Sequence, residues 1–172
     1  MHCILIKSLE DYPINKSIIE TTLARVESYR NSIEDPTSYS NIHMGSQSEV
    51  GMIKGKGGKP LSPVEGEVLK KENDEMFVVE NLKEWIKEDL SRIYPLQIEV
   101  EQIEGALNAL TKQQKHIIEC RYFERIFWDD TEISFNNKFK TTLTCGQLQK
   151  KNKGSLDKLY KILKIYYDRK YL

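Results

Sequence analysis

The residue types able to do chemistry are few in this chain and most are scattered. Its three histidines stand at positions 2, 43 and 116, and no Ser/His/Asp set or carboxylate pair falls at a defined spacing. His116 and Cys120 are four residues apart, which puts two metal ligands on one face of a helix. A zinc site needs four, and no second pair is visible. Asp129-Asp130 reads as the start of a helix, where carboxylates satisfy free amides and meet the positive end of the dipole. The run K-G-K-G-G-K lacks the Gly-x-x-x-x-Gly-Lys-Ser/Thr order and a preceding strand, so it reads as a flexible basic linker rather than a phosphate cradle. The expectation is a protein that is no enzyme, with no metal and no cofactor.

What remains is electrostatic. The formal net charge is zero, but carboxylates outnumber bases from Glu65 to Glu104, whereas from Asn136 onward ten lysines and arginines face only Asp157 and Asp168. Such a basic end suits phosphates, because each one neutralised releases condensed counterions. Thr144 is placed to cap a helix whose buried stripe would be Leu148, Ser155, Leu159 and Leu163, with Asn152 or Leu156 at its edge. Gln147, Lys150, Lys151 and Gly154 then share one outward face. Near the start of a reading helix, Gln147 can pair with adenine and the lysines can reach phosphate or guanine. Thr144, Gln147, Lys150, Lys151 and Lys153, with Lys140 in the preceding turn, are the predicted DNA-binding residues. Gly154 costs helix stability but leaves room for close backbone approach.

Two shorter helices must position that face. Thr111 and Gln114 form a capping box for the first, which brings Ile117, Ile118 and Tyr122 toward a small core before the chain leaves the helix between Arg121 and Arg125. Ile126-Phe127-Trp128 supplies bulky packing. The second helix starts at Asp129-Asp130, carries Ile133, Phe135 and Phe139 and ends near Lys140. Three helices with a basic last member outline a helix-turn-helix reader.

Ahead of them lies the longest regular pattern. Ser62-Pro63-Val64-Glu65 combines an N-cap, a first-turn proline and a capping box. Apolar residues then recur at steps near those of a coiled-coil seam, with Val79, Leu82, Ile86, Leu90 and Ile93 as the predicted oligomerisation set. The same stripe would serve equally to pack on the helix read from Ile14 to Ile33, which Asp35-Pro36 ends. Tyr94-Pro95 predicts a kink or break. The fold expected is all-α: an N-terminal helical segment over 1–36, a flexible basic loop over 37–61, a long amphipathic helix over 62–110 and a helix-turn-helix domain over 111–172. A homodimer is the expected assembly.

Length allows one ordinary domain with an extension. Cysteines 3, 120 and 145 imply no disulfide framework, the first residues no signal peptide, and no apolar run approaches a membrane span. A cytoplasmic protein without a membrane partner is expected.

The run A-L-N-A-L-T-K-Q-Q-K-H-I-I-E-C-R-Y-F-E, the D-D-T-E-I-S segment and L-Q-K-K-N-K-G-S-L-D-K-L together resemble phage late-transcription regulators of the RinA and ArpU type. These in turn resemble the promoter-reading part of sigma factor region four. The similarity covers roughly residues 62–163. It implies sequence-specific binding of double-stranded DNA and control of phage gene transcription in a bacterial host, with residues 144–153 at the place of the recognition helix. The chain departs from the pattern in a longer stretch between Ser134 and Thr144 and in Cys145-Gly146 at the start of that helix. Two other readings stand beside it. A phage small terminase subunit also joins a helix-turn-helix to an oligomerising part. An adaptor or inhibitor would instead engage a partner such as RNA polymerase through Val79 to Leu110.

Overall fold

Two prolines sit inside helices where the sequence places a helix start and a helix break. The computed structural model describes residues 3–35 and 63–170, with side chains of the second stretch described from Met76 onward. The predicted loop over 37–61 and the Ser62–Glu65 capping box lie outside the described residues and side chains. Helix α1 spans Cys3–Glu34 with Pro13 inside it, and α2 spans Pro63–Leu107 with Pro95 inside it. The first corrects the expected start near Ile14, and the second removes the break, though not the kink, from the kink or break expected at Tyr94-Pro95. A proline inside a helix costs about 3 kcal/mol, whereas each fully buried leucine or isoleucine contributes roughly 1.5–3 kcal/mol. Leu5 and Leu9 precede Pro13 and Ile19 follows it, Ile93, Val100 and Ile103 flank Pro95, and all six are buried. Burial on both sides holds each helix through its proline.

The chain continues with α3 (Lys112–Ile118), a π-helical turn (Glu119–Phe123), α4 (Trp128–Phe139) and α5 (Cys145–Lys170). The fold is all-α, with no strand among the described residues. No helix among them is long and apolar enough to cross a membrane.

Two compact units share these helices: Thr21–Arg92 is one, and Met1–Glu20 with Ile93–Leu172 is the other. In the first, the end of α1 runs antiparallel to α2. Arg25 grips Asp89 with two hydrogen bonds of 2.8 and 2.7 Å, and one turn along Tyr29 meets Trp85 with ring centroids 5.8 Å apart. Val26 and Leu82 are fully buried there, and Val78 nearly so. The apolar pattern suits a seam between copies or packing on the N-terminal helix, and in this structure Leu82 is covered by its own chain. The stripe of α2 has found an intramolecular partner, because α1 carries a matching stripe and lies close in sequence.

The second unit is built on a core of Leu5, Leu9, Ile103, Ala106, Leu107, Ile118, Leu156, Leu159, Leu163 and Tyr167. Ile93, the other fully buried member of the predicted seam, also belongs to this unit, while Val79, Ile86 and Leu90 are half-covered. The C-terminal helices thus share their core with the start of α1 and the end of α2 instead of folding around 111–172 alone. Buried Glu99 is satisfied from both sides, accepting from Ser8 Oγ at 2.8 Å and from Lys170 Nζ at 2.8 Å. Tyr12 stacks on Phe123 at 4.6 Å and donates to Glu104 at 2.7 Å.

Candidate nucleic-acid interface

Helix α3 opens as the sequence implies. The Thr111 hydroxyl accepts from the Gln114 amide at 3.3 Å, and the Gln114 side chain accepts from the Thr111 amide at 3.1 Å. The helix then widens into the π-helical turn and ends at Glu124, within the Arg121–Arg125 stretch where the sequence has the chain leave it, and Ile126 N–H closes it onto Cys120 O at 2.8 Å. Arg125 takes the left-handed conformation, φ 56°. Arg121 donates to Ile126 O and lays its guanidinium over the Trp128 ring, 4.6 Å from the centroid.

Helix α4 is capped differently from the sequence expectation. Phe127 occupies the N-cap with no side-chain bond, so Asp129 and Asp130 sit in the first turn, where they favour the helix dipole without capping it. Phe127 is 79% exposed and supplies none of the packing expected of it, while Trp128 joins Phe139 and Leu143 around the small core of Ile117, Phe135 and Leu148.

The connection from α4 to α5 is short because α4 runs to Phe139. Lys140 closes the helix in the left-handed conformation, φ 53°. Asn136 then pins the turn beyond it. Its Oδ1 accepts from Leu143 N–H and Thr141 Oγ1, both at 2.9 Å, and its Nδ2 donates to Leu143 O at 2.9 Å. Sequence reasoning missed this residue, although an asparagine just before a helix end is a turn-forming signal.

Helix α5 separates two faces. Leu148, Asn152, Ser155, Leu156, Leu159, Leu163 and Tyr167 are buried, the stripe the sequence predicts together with its edge residues and one further turn. Gln147, Lys150, Lys151, Lys153 and Gly154 are exposed. Lys151 Nζ donates to Gln113 Oε1 of α3 at 3.2 Å, while Lys150 and Lys153 have no ion-pair partner among the described residues. Lys140 is exposed in the preceding turn and Thr144 at the helix start. A Cβ at Gly146 or Gly154 would meet nothing within 4 Å. The structure therefore brings Lys150, Lys151 and Lys153 to the first three turns of one helix, with Lys140 in the turn before it.

Gln147 is employed otherwise. Its Oε1 accepts from Thr144 N–H at 3.0 Å, the return half of a capping box. A two-pronged contact to adenine would have to release that amide.

Acidic groups approach the same helix end. Cys145 Sγ lies 3.5 Å from Asp129 Oδ1 and 3.6 Å from Trp128 O. The carboxylate of Glu132, with burial and Asp129 after it, pushes the Cys145 thiol up to about 12. The thiol stays protonated and acts as a donor across the start of α5, not as a nucleophile.

A part-buried polar cluster joins α3 to α4. His116 Nε2 is 3.2 Å from Ser134 Oγ, its Nδ1 is 3.1 Å from Lys138 Nζ, and Cys120 Sγ lies 3.6 Å from the ring. Phe139 meets the ring edge-on at 5.6 Å. Burial, and then the charge of Lys138, hold the imidazole below its usual range, and burial pushes the Cys120 thiol up. No group of three or more His, Cys, Asp or Glu side chains among the described residues is arranged to hold a metal ion. No family model, curated protein or solved structure matches the chain.

Proposed function

We propose that the chain is a sequence-specific, double-stranded DNA-binding regulator of transcription that reads the major groove with the first turns of α5. The observation that carries this reading is the division of α5 into a buried stripe, fixed against α3 and α4, and an exposed face with Lys150, Lys151 and Lys153. A helix whose apolar side is held by two others presents its opposite side rigidly, which groove reading requires. The resemblance of residues 62–163 to phage late-transcription regulators of the RinA and ArpU type agrees with it and narrows the role to phage genes.

Lysines carry this interface, because the Gln147 amide oxygen is engaged at the helix start. Lys150, Lys153 and the turn residue Lys140 meet phosphates, and Lys151 leaves Gln113 to join them. Removing one lysine–phosphate pair lowers the salt dependence of binding by about one unit of slope. Duplex binding followed by fluorescence anisotropy across a salt series tests this. Lys150→Glu/Lys151→Glu abolishes binding while the helical circular-dichroism signal is unchanged. Normal duplex binding by that variant would remove α5 from the groove.

A further inference from the structure

The far end of α5 carries a second surface of a different chemistry. Pro95, Leu96, Ile98 and Glu99 of α2 face Tyr166, Arg169 and Lys170 of α5 across a groove of about 460 Å³. One turn earlier on α5, Ile162 and Ile165 are 45% and 67% exposed, and they share their sides of the helix with Tyr166 and Arg169. Tyr94, 64% exposed, flanks the α2 side. Contiguous apolar surface of this kind marks an interaction site more often than isolated exposed leucines do.

Charge selects the occupant. From Lys158 to Lys170, α5 carries Lys158, Lys161, Lys164, Arg169 and Lys170 against Asp168 alone. Lys170 is held by Glu99 and Lys158 donates to Ala109 O, but Arg169 is exposed and has no ion-pair partner among the described residues. A second copy would bring this basic edge against itself. A phosphate backbone would match the bases but not an apolar floor of proline, leucine and isoleucine. An amphipathic helix with acidic flanks matches both.

We propose that the groove between Pro95–Glu99 and Tyr166–Lys170, extended by Ile162 and Ile165, docks an acidic amphipathic helix of a partner protein. The groove lies about 24 Å along α5 from Lys150, at 1.5 Å per residue, so docking leaves the lysine face open. The proposal does not depend on what that face binds.

The test is selection of random 16-residue displayed peptides on the full chain, with affinities of the selected peptides measured on variants. Selected peptides carry apolar residues at three- and four-residue spacing with Asp or Glu beside them. They lose at least tenfold in affinity on Ile165→Ser and on Arg169→Glu, both exposed positions where the fold is not at stake. A pool without acidic enrichment, or one whose affinity survives both substitutions, overturns the proposal. So does self-association in sedimentation that Ile165→Ser abolishes, which would make a second copy the occupant. Loss of duplex binding in Ile165→Ser would assign the surface to nucleic acid and overturn it equally.

Discussion

Lys138 Nζ lies 3.1 Å from His116 Nδ1, a hydrogen bond open only to a neutral imidazole. With Nδ1 accepting, Nε2–H donates to Ser134 Oγ at 3.2 Å, so one ring ties the end of α3 to two turns of α4. A second proton would face the Lys138 ammonium in a part-buried site, with Glu119 and Glu124 giving only partial relief.

Stability should therefore fall with pH in a defined window. The unfolded ring takes its proton near 6.5 and the folded ring lower, so between those values the unfolded state binds more protons. The contribution is fully present above about 6.5 and declines as pH drops toward the lowered folded value. Denaturant melts of the wild type between pH 8 and 5 should show this slope, and His116→Gln should flatten it. Glu104, lowered mainly by its hydrogen bond from Lys16, titrates below the carboxylate value of 4.5 and does not overlap. Equal slopes in the two proteins would mean that the ring is not held neutral by its site.

Leu82 is buried by its own chain, beside the Arg25–Asp89 and Tyr29–Trp85 contacts. Truncating a buried leucine to alanine costs about 2–5 kcal/mol through lost transfer energy and the cavity left behind. Leu82→Ala should thus lower helicity and melting temperature and leave the mass in solution unchanged. A drop in mass with full helicity would place Leu82 in a seam between copies instead.

The parts of this fold that are legible in the sequence are those written over short distances. The Thr111–Gln114 box and the stripe Leu148, Ser155, Leu159, Leu163 depend on neighbours three and four residues away, and both are present. Pro13 and Pro95 mislead because a proline announces its local cost, while the offsetting burial of Leu5, Leu9 and Ile103 comes from residues distant in the chain. The stripe containing Leu82 is visible, but apolar periodicity is identical whichever helix covers it. His116, Ser134 and Lys138 are separated by 18 and 22 positions from ring to partner, and no local pattern joins them. Gln147 is ambiguous in kind, since the same amide suits a capping return and an adenine edge.

Lys140 holds a left-handed conformation, φ 53°, at the end of α4. A residue with a Cβ pays roughly 1–2 kcal/mol there, and glycine does not. Lys140→Gly should raise stability by about 1 kcal/mol once the greater freedom of the unfolded glycine is subtracted. Asn136→Ala should act in the opposite direction by about 1–3 kcal/mol, because the Leu143 amide loses its acceptor in the same turn. Urea melts of the two variants check both signs.

Gly154 separates what the fold needs from what an interface needs. It sits in the interior of α5, exposed, with nothing within 4 Å of the Cβ it lacks, so no packing reason requires glycine there. Alanine should stabilise the helix by about 1 kcal/mol, the ordinary difference in propensity. If the face shared with Gln147, Lys150 and Lys151 meets DNA at close backbone approach, the added methyl displaces it. Gly154→Ala should then melt higher yet bind duplex at least threefold more weakly, with the salt slope unchanged, because every lysine that meets a phosphate is still in place. A variant that melts higher and binds as well as the wild type would show that the backbone at Gly154 stands clear of the groove, leaving Lys150 and Lys151 to act by charge alone.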